Sequence, residues 1–269
     1  MSDRPSLDGA GEPCRIDIEG LHKTYKSKRG AVVALDNVSL KVKRNEFVAL
    51  VGPSGCGKST LLKLISGLIR PSRGRLLYSG ERLAGPARDV GIVFQEAVLL
   101  PWRTVLDNVL LPVEILGLNR RKCKERAMHL LGMVGLAGFE RRYPRELSGG
   151  MQQRVSICRA LIHKPSLLLM DEPFAALDAM TREELGFELL RILADDRKTV
   201  VFVTHNIREA ILLSDRVVAM SARPGRIAKI VDVDLERPRT LGMEFTDKFK
   251  SYSDQVRSVI YNANEAKER

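Results

Sequence analysis

The sequence contains no long hydrophobic run. No stretch of it approaches the about 18 consecutive apolar residues that a membrane-spanning helix needs. Residues 1–20 also lack the apolar segment of a secretory signal, so we expect the chain to stay in the cytosol. Paired cysteine spacings are missing as well, which indicates neither a disulfide framework nor a zinc site. The cysteines, all predicted to be reduced, are Cys14, Cys56, Cys123 and Cys158.

Acidic residues are the minority among the charged ones. Lys and Arg together number 44 against 33 Asp and Glu, which gives a net charge of +11. This excess favours an anionic partner, either a nucleotide, a nucleic acid or an acidic membrane surface, and charge alone does not choose among them. Aromatic residues make up only 5% of the 269 residues, but 44% of the chain is hydrophobic. A disordered or fibrous protein is therefore excluded, and the chain can bury a core.

Short apolar runs rich in β-branched residues recur along the chain and have the pattern of strands buried on both faces. They occupy 47–51, 90–94, 167–170, 199–203 and 217–220. Helical segments such as 59–68 and 181–193 intervene, so the sequence predicts an α/β fold with a mostly parallel sheet. Before them, 15–19 and 38–42 alternate polar with apolar residues. That alternation predicts an N-terminal antiparallel β subdomain.

The strand pattern stops between residues 94 and 167, where 121–134 and 151–163 have apolar residues at helical spacing. We predict an inserted α-helical subdomain over about 96–160. Gly-containing segments at 80–88 and 222–226 are predicted turns. The chain is divided into a main domain over 13–243 and a C-terminal helical tail over 244–269, which is too short to form another domain.

A phosphate-binding motif, G-x-x-x-x-G-K-[ST], lies between the predicted strand 47–51 and the predicted helix 59–68. Its residues are Gly52, Pro53, Ser54, Gly55, Cys56, Gly57, Lys58 and Ser59, and Thr60 follows. Successive backbone N–H groups and the helix N-terminus can bind one oxyanion, and Lys58 adds a full charge. Ser59 offers its hydroxyl to Mg²⁺. A glycine-rich turn without a ligand is the alternative.

Two carboxylates follow the apolar run 167–170. Asp171 and Glu172 lie where the carboxyl end of a strand meets the ligand crevice of an α/β sheet. We assign Asp171 to the coordination shell of Mg²⁺, through water, and Glu172 to a water that attacks the γ-phosphate. The structural alternative for this pair is a helix N-cap with an acidic neighbour.

A second anion site is indicated at Ser148, Gly149 and Gly150, which open a predicted helix. The first turn of that helix leaves several N–H groups free, and such groups bind anions. A plain N-cap is the commoner role of such a tripeptide, and the residues alone leave both possibilities open.

These motifs, in this order and spacing, resemble those of the ATP-binding cassette (ABC) ATPases, whose fold is a RecA-like P-loop NTPase core. The resemblance covers about residues 13–235. Within that range, further matching motifs are Gln95, 147–152, 176–178 and His205. The Ser-Gly-Gly element after a phosphate loop is specific to this family. Met151 stands where the commonest form of the signature has Gln, which is a familiar variant.

The resemblance implies that two copies associate head to tail and hold ATP between the phosphate loop of one and residues 148–150 of the other. Tyr25 matches the aromatic residue that stacks on adenine, and Gln95 matches the glutamine that contacts Mg²⁺ and the attacking water. His205 matches the histidine that contacts the γ-phosphate, and Asp178 matches the loop that couples the two sites. Each has a structural alternative. Tyr25 could be an ordinary half-buried tyrosine and His205 a structural histidine. Gln95 could cap a strand, and Asp178 could cap a helix.

The resemblance also implies that the membrane permease subunits are separate chains, as in bacterial importers that act with a periplasmic or extracellular solute-binding protein. The ATPase would then be peripheral, on the cytoplasmic face of the inner membrane. Segments 102–109 and 173–182 resemble the nitrate, sulfonate and taurine importer branch. The apolar segment 96–104, which contains Trp102, suits a socket for a permease helix, although it could equally form subdomain core.

Three other functions compete with this prediction. A nucleic-acid repair or translation ATPase of the same superfamily is the main alternative, but the tandem cassettes, long coiled coil or zinc cysteines of such proteins are missing, so no nucleic acid is expected. A small-molecule kinase is disfavoured by Glu172 and the Ser-Gly-Gly element. An interaction subunit with a degenerate ATP site is disfavoured by four intact site residues, which are Lys58, Asp171, Glu172 and His205.

Overall fold

A computed structural model describes residues 14–27 and 30–265, and its centre is a six-stranded sheet. The strands are β3 (Phe47–Val51), β6 (Val90–Val93), β7 (Leu167–Asp171), β8 (Thr199–Val203), β9 (Arg216–Met220) and β10 (Ile227–Asp232). Their order is β10-β9-β3-β8-β7-β6, and all neighbours are parallel except β10, which is antiparallel to β9. The carboxyl ends of β3, β7 and β8 therefore lie along one edge of the sheet.

A second, antiparallel sheet contains the N-terminal strands. It consists of β1 (Cys14–Ser27), β2 (Gly30–Lys43), β4 (Arg73–Tyr78) and β5 (Glu81–Arg82), in the order β2-β1-β4-β5. The predicted strands 15–19 and 38–42 pair as expected, with Ile16 opposite Val42 and Ile18 opposite Leu40. Both strands extend well beyond the alternating segments, because β-bulges shift the register and let the pairing continue.

The core lies on both faces of the six-stranded sheet. Alternate residues of β3 enter different clusters: Val48 and Leu50 face β1, β2 and helix α1 (Lys58–Ile65), whereas Phe47, Ala49 and Val51 face the opposite cluster. β7 and β8 divide their side chains in the same way. This two-sided burial explains why the strands are continuous apolar runs.

Helices occupy the region between β6 and β7. They are α2 (Val105–Val109), α3 (Leu111–Ile115), α4 (Arg120–Met133) and α5 (Gly149–Leu161). Helices α6 (Ala179–Asp195) and α7 (Ile207–Leu213) follow β7 and β8, and α8 (Asp247–Glu265) packs against α7, β9 and β10. Phe249 and Val256 of α8 are buried in the same cluster as Phe47, Ala49 and Val51 of β3. The division of the chain at residue 243 remains a prediction.

Several elements differ from the sequence-based expectations. The first helix ends at Ile65 rather than at residue 68, because Gly67 has a φ of +75° and closes the segment. The predicted turn 80–88 contains the short strand β5, and β4 and β10 were not predicted because few of their side chains are buried. Within the described ranges, no helix is long and apolar enough to cross a membrane. Cys14 begins β1, but its side chain lies outside the described set.

Candidate functional site

The phosphate loop follows β3 and ends where α1 begins. Lys58 is buried, and its Nζ donates to the carbonyl oxygens of Gly52 (2.8 Å) and Pro53 (3.1 Å). Gly57 precedes α1 with a φ of +103°, and a Cβ built there would lie 2.6 Å from Leu35 Cδ2, so only glycine fits. Gly57 provides no side-chain cap, which leaves N–H groups of the first turn of α1 for a ligand. The loop is therefore built to bind an anion.

Asp171 at the end of β7 meets the first turn of α1. Ser59 Oγ donates to Asp171 Oδ1 at 2.9 Å. The pKa of Asp171 lies above its usual value, mainly because the carboxyl is buried and also because Glu172 is near. The Ser59 hydrogen bond and the charges of Lys63 and Lys58 act in the opposite direction. A half-buried carboxylate beside a hydroxyl presents the hard oxygen ligands that Mg²⁺ prefers, and a cation would relieve the cost of its ionisation. The residues therefore fit a magnesium ion.

Glu172 and His205 lie in contact at the ends of the adjacent strands β7 and β8. Glu172 Oε2 is 3.0 Å from His205 Nδ1. Glu172 has a φ of +46°, which is uncommon for a residue with a side chain, and its N–H donates to Val203 O at 2.9 Å. Thr204 Oγ1 donates to Glu209 Oε2 at 2.7 Å, which anchors the segment before His205. The pair is held at the same sheet edge as Asp171.

Gln95 is exposed and lies two residues beyond β6. Two residues of α5 hold the backbone on either side of it. Gln153 Nε2 donates to Phe94 O at 3.1 Å, and the Arg159 guanidinium donates to the carbonyls of Ala97 and Val98 at 2.7 and 2.8 Å. Sequence analysis missed both anchors. Their only signal is their position on the helix that follows Ser148.

Tyr25 lies on β1 with 42% of its surface exposed, and Lys23 Nζ is 5.2 Å from its ring centroid. Lys23 pairs with Leu35 in β2, the residue that packs on Gly57 of the phosphate loop. The tyrosine is thus exposed on the sheet that touches the loop, and a ring in this state can stack on a base.

Ser148, Gly149, Gly150 and Asp178 line one groove of about 650 Å³. Ser148 Oγ accepts from Met151 N at 3.3 Å and caps α5, and Asp178 Oδ1 accepts from Thr181 N at 3.0 Å and caps α6. The Thr181 N–H also lowers the pKa of Asp178. Both capping alternatives are therefore present in the structure. The residues that line the groove include none from the phosphate loop.

A parallel sheet with a phosphate loop after one strand and carboxylates after a neighbouring strand defines a P-loop NTPase with a RecA-like core. The comparisons specify the family. Residues 35–175 match the family model of ABC transporters, and the chain belongs to this family. It therefore carries an ABC ATP-binding domain, which is an ATPase.

The curated relatives match most of the chain. The ABC transporter ATP-binding protein MJ0412 of Methanocaldococcus jannaschii is 53% identical over 246 residues, which are 91% of each chain. The aliphatic sulfonates import ATP-binding protein SsuB of Bacillus cereus is 44% identical over 229 residues, which are 85% of this chain and 90% of that protein.

Solved structures agree with the fold. A dimeric structure of the ATP-binding cassette MJ0796, in a post-hydrolysis state bound to ADP and Pi, has a TM-score of 0.73 at 35% identity. The match covers 82% of this chain and 100% of that one. The cbiO1 protein of Clostridium perfringens, part of an ABC transporter complex, has a TM-score of 0.72 at 28% identity over 82% of this chain.

Proposed function

We propose that the chain is the ATP-hydrolysing subunit of an importer that takes up a sulfonate, taurine, nitrate or a similar small solute. One observation carries the ATPase part of this proposal. The Ser59–Asp171 and Glu172–His205 pairs lie at the same sheet edge, directly beside the phosphate loop. This arrangement brings together a phosphate cradle, a metal-ligand pair and a candidate base.

Each residue of the phosphate site then has a role. Lys58 moves from the Gly52 and Pro53 carbonyls to the phosphates of ATP, which the loop N–H groups also bind. Ser59, Asp171 and Gln95 would hold Mg²⁺, which when bound neutralises charge on the phosphate oxygens.

Hydrolysis needs a water that is positioned and deprotonated. The Glu172 carboxylate accepts its proton or orients it for attack on the γ-phosphate. His205 holds Glu172 in place through the 3.0 Å contact with its Nδ1, and its ring contacts the γ-phosphate. Tyr25 stacks on the adenine, and its exposed ring supports that role.

A second copy of the chain completes the site. Residues 148–150 and Asp178 lie in a groove apart from the phosphate loop, so a γ-phosphate on the loop would reach them only from another copy. Head-to-tail pairing around two ATP molecules gives these residues that contact, and the dimeric MJ0796 structure supports the pairing. Hydrolysis removes the bridging phosphate, and the two copies separate.

The segment after Gln95, which includes exposed Trp102, is the proposed contact with the membrane subunits. Trp102 is 72% exposed and lies outside the subdomain core, whereas Leu99 of the same segment packs against that core. Buried Asn108 binds this segment with its side chain: it accepts from Leu100 N and donates to the carbonyls of Leu100, Arg103 and Thr104. A rigid loop with an exposed aromatic suits a permease helix as partner. This contact would place the chain at the cytoplasmic face of the inner membrane.

The solute range rests on the likeness to SsuB and is tested by growth. A host that lacks the chain should fail to use an aliphatic sulfonate or taurine as sole sulfur source, or nitrate as sole nitrogen source. The parent gene should restore growth, and Glu172→Gln, expressed at the same level, should not. The contrary result is that the deleted host grows on aliphatic sulfonate, on taurine and on nitrate, and survives DNA damage less well than the parent host. That result would contradict the transport function and support the nucleic-acid alternative.

A further inference from the structure

The turn between β9 and β10 packs directly against the phosphate loop. A Cβ built on Gly225 would lie 2.0 Å from Cys56 O, and one built on Gly52 would lie 2.7 Å from Met220 O. No side chain fits at either glycine, so the phosphate loop is in van der Waals contact with the backbone of Gly225 in the turn and of Met220 at the end of β9. The turn, residues 221–226, therefore has a fixed position beside the anion site.

Hydrogen bonds to β2 hold this turn in place. Gly225 N donates to Ala34 O, and Asp36 N donates to Gly225 O, both at 3.0 Å. Ser221 N donates to Arg226 O at 2.9 Å and closes the turn. Because its backbone is bonded on both sides, the turn presents its side chains from defined positions.

The two arginines of the turn are in different situations. Arg226 donates to Asp36 Oδ2 through Nε at 2.9 Å and through Nη2, and this contact lowers the pKa of Asp36. Arg223 is exposed, and among the residues that the structure describes it has neither a hydrogen bond nor an ion pair. Its Nη2 is 3.6 Å from the position of a Cβ built on Gly55, in the middle of the phosphate loop.

The Arg223 guanidinium has no carboxylate partner in the ranges that the structure describes and lies next to a loop that binds phosphate, so a phosphate group is its expected ligand. Its planar fork of N–H donors matches phosphate oxygens, and charge-assisted bonds of this kind are among the stronger ones. We propose that Arg223 is a nucleotide-binding residue, which donates to the β-phosphate of the nucleotide in the loop of its own chain. The inference rests on the nucleotide binding in the proposed function.

The test is a titration of the full chain, at a concentration where it is a single copy, with fluorescent ADP and AMP derivatives. Arg223→Gln should weaken ADP binding about five-fold, or about 1 kcal/mol, and Arg223→Lys should recover part of the loss. AMP lacks the β-phosphate, so its affinity should change less than about two-fold. Arg44→Gln is the matched control, because Arg44 is an exposed arginine in the turn before β3, at the opposite end of that strand.

The outcomes separate this inference from the proposed function. If Lys58→Ala binds ADP as well as the parent does, the phosphate site itself is wrong. If Lys58→Ala loses ADP but Arg223→Gln stays within about two-fold of the parent, the inference about Arg223 alone is overturned. The inference is also overturned if the Arg223→Gln protein binds ADP normally but no longer forms a pair of chains when ATP is added. In that case the guanidinium would contact the second copy.

Discussion

At the residue scale, Glu172 combines a chemical group with an uncommon backbone conformation. Its φ of +46° lies in the left-handed region, where a side chain costs about 1–2 kcal/mol. The N–H bond to Val203 O and the contact with His205 hold it there. Backbone strain of this kind persists where the surrounding structure imposes it, and it is concentrated at functional sites. The direction of the Glu172 carboxylate is thus set by its backbone.

The strain predicts a difference between two inactive variants. Glycine adopts positive φ without steric cost, although it loses more entropy on folding. Glu172→Gly should therefore be more stable than Glu172→Gln by about 0.5–1 kcal/mol, as measured by urea unfolding without nucleotide. Both should lose ATP hydrolysis. If Glu172→Gly is the less stable of the two, the strained backbone does not describe the protein in solution.

Some site residues are predictable from local sequence motifs, whereas others depend on contacts that only the fold creates. Lys58, Asp171 and Glu172 are local signals, because each follows a buried apolar run within a fixed motif. The Glu172–His205 contact depends on β7 and β8 being neighbours, which the chain order alone does not give. Arg223 acts through a contact between distant segments, so no motif marks it.

At the scale of elements, the N-terminus of α5 combines a helix cap with a proposed nucleotide contact. Ser148 caps the helix through Met151 N, and its hydroxyl is also our candidate ligand for the ATP of a second copy. A cap residue can donate its hydroxyl proton while its oxygen accepts from the helix. The capping alternative and the anion site are therefore compatible.

Two substitutions separate these functions. Ser148→Ala should cost about 1 kcal/mol in unfolding free energy, whereas Ser148→Gly should cost only a few tenths, because glycine is tolerated at an N-cap. Both remove the hydroxyl, so both should weaken ATP-dependent pairing to a similar extent in the Glu172→Gln background. Normal pairing by Ser148→Gly would mean that the hydroxyl does not contact nucleotide.

Elements with buried faces were predictable, and marginal ones were not. The strands of the large sheet were found because burial on both faces leaves continuous apolar runs, as in β3 and β8. Within the described part of the chain, β10 pairs only with β9 at the sheet edge and buries one residue, Val231, so its sequence has no such run. The short α2 and α3 were missed because a five-residue helix has too few turns to show a period.

At the scale of the whole molecule, the groove of residues 148–150 and Asp178 is lined by no residue of the phosphate loop. In the proposed function, the phosphate loop and the Ser59–Asp171 pair form one half of a shared ATP site, and this groove forms the other. In a symmetric pair of chains, the phosphate loop of each copy faces the groove of the other, so two complete sites form. The net charge of +11 on each copy opposes close approach of two copies, and bound Mg-ATP, which is itself an anion, would reduce this repulsion.

The most direct test is the size of purified Glu172→Gln protein, measured by gel filtration with light scattering, with and without Mg-ATP. Without its carboxylate the protein should bind ATP and fail to hydrolyse it, so the closed pair should accumulate. We expect a shift from one copy to two with ATP, none with ADP, and none when Lys58→Ala is added. A single copy under all conditions, with hydrolysis unchanged by Glu172→Gln, would contradict both the shared site and the role of Glu172.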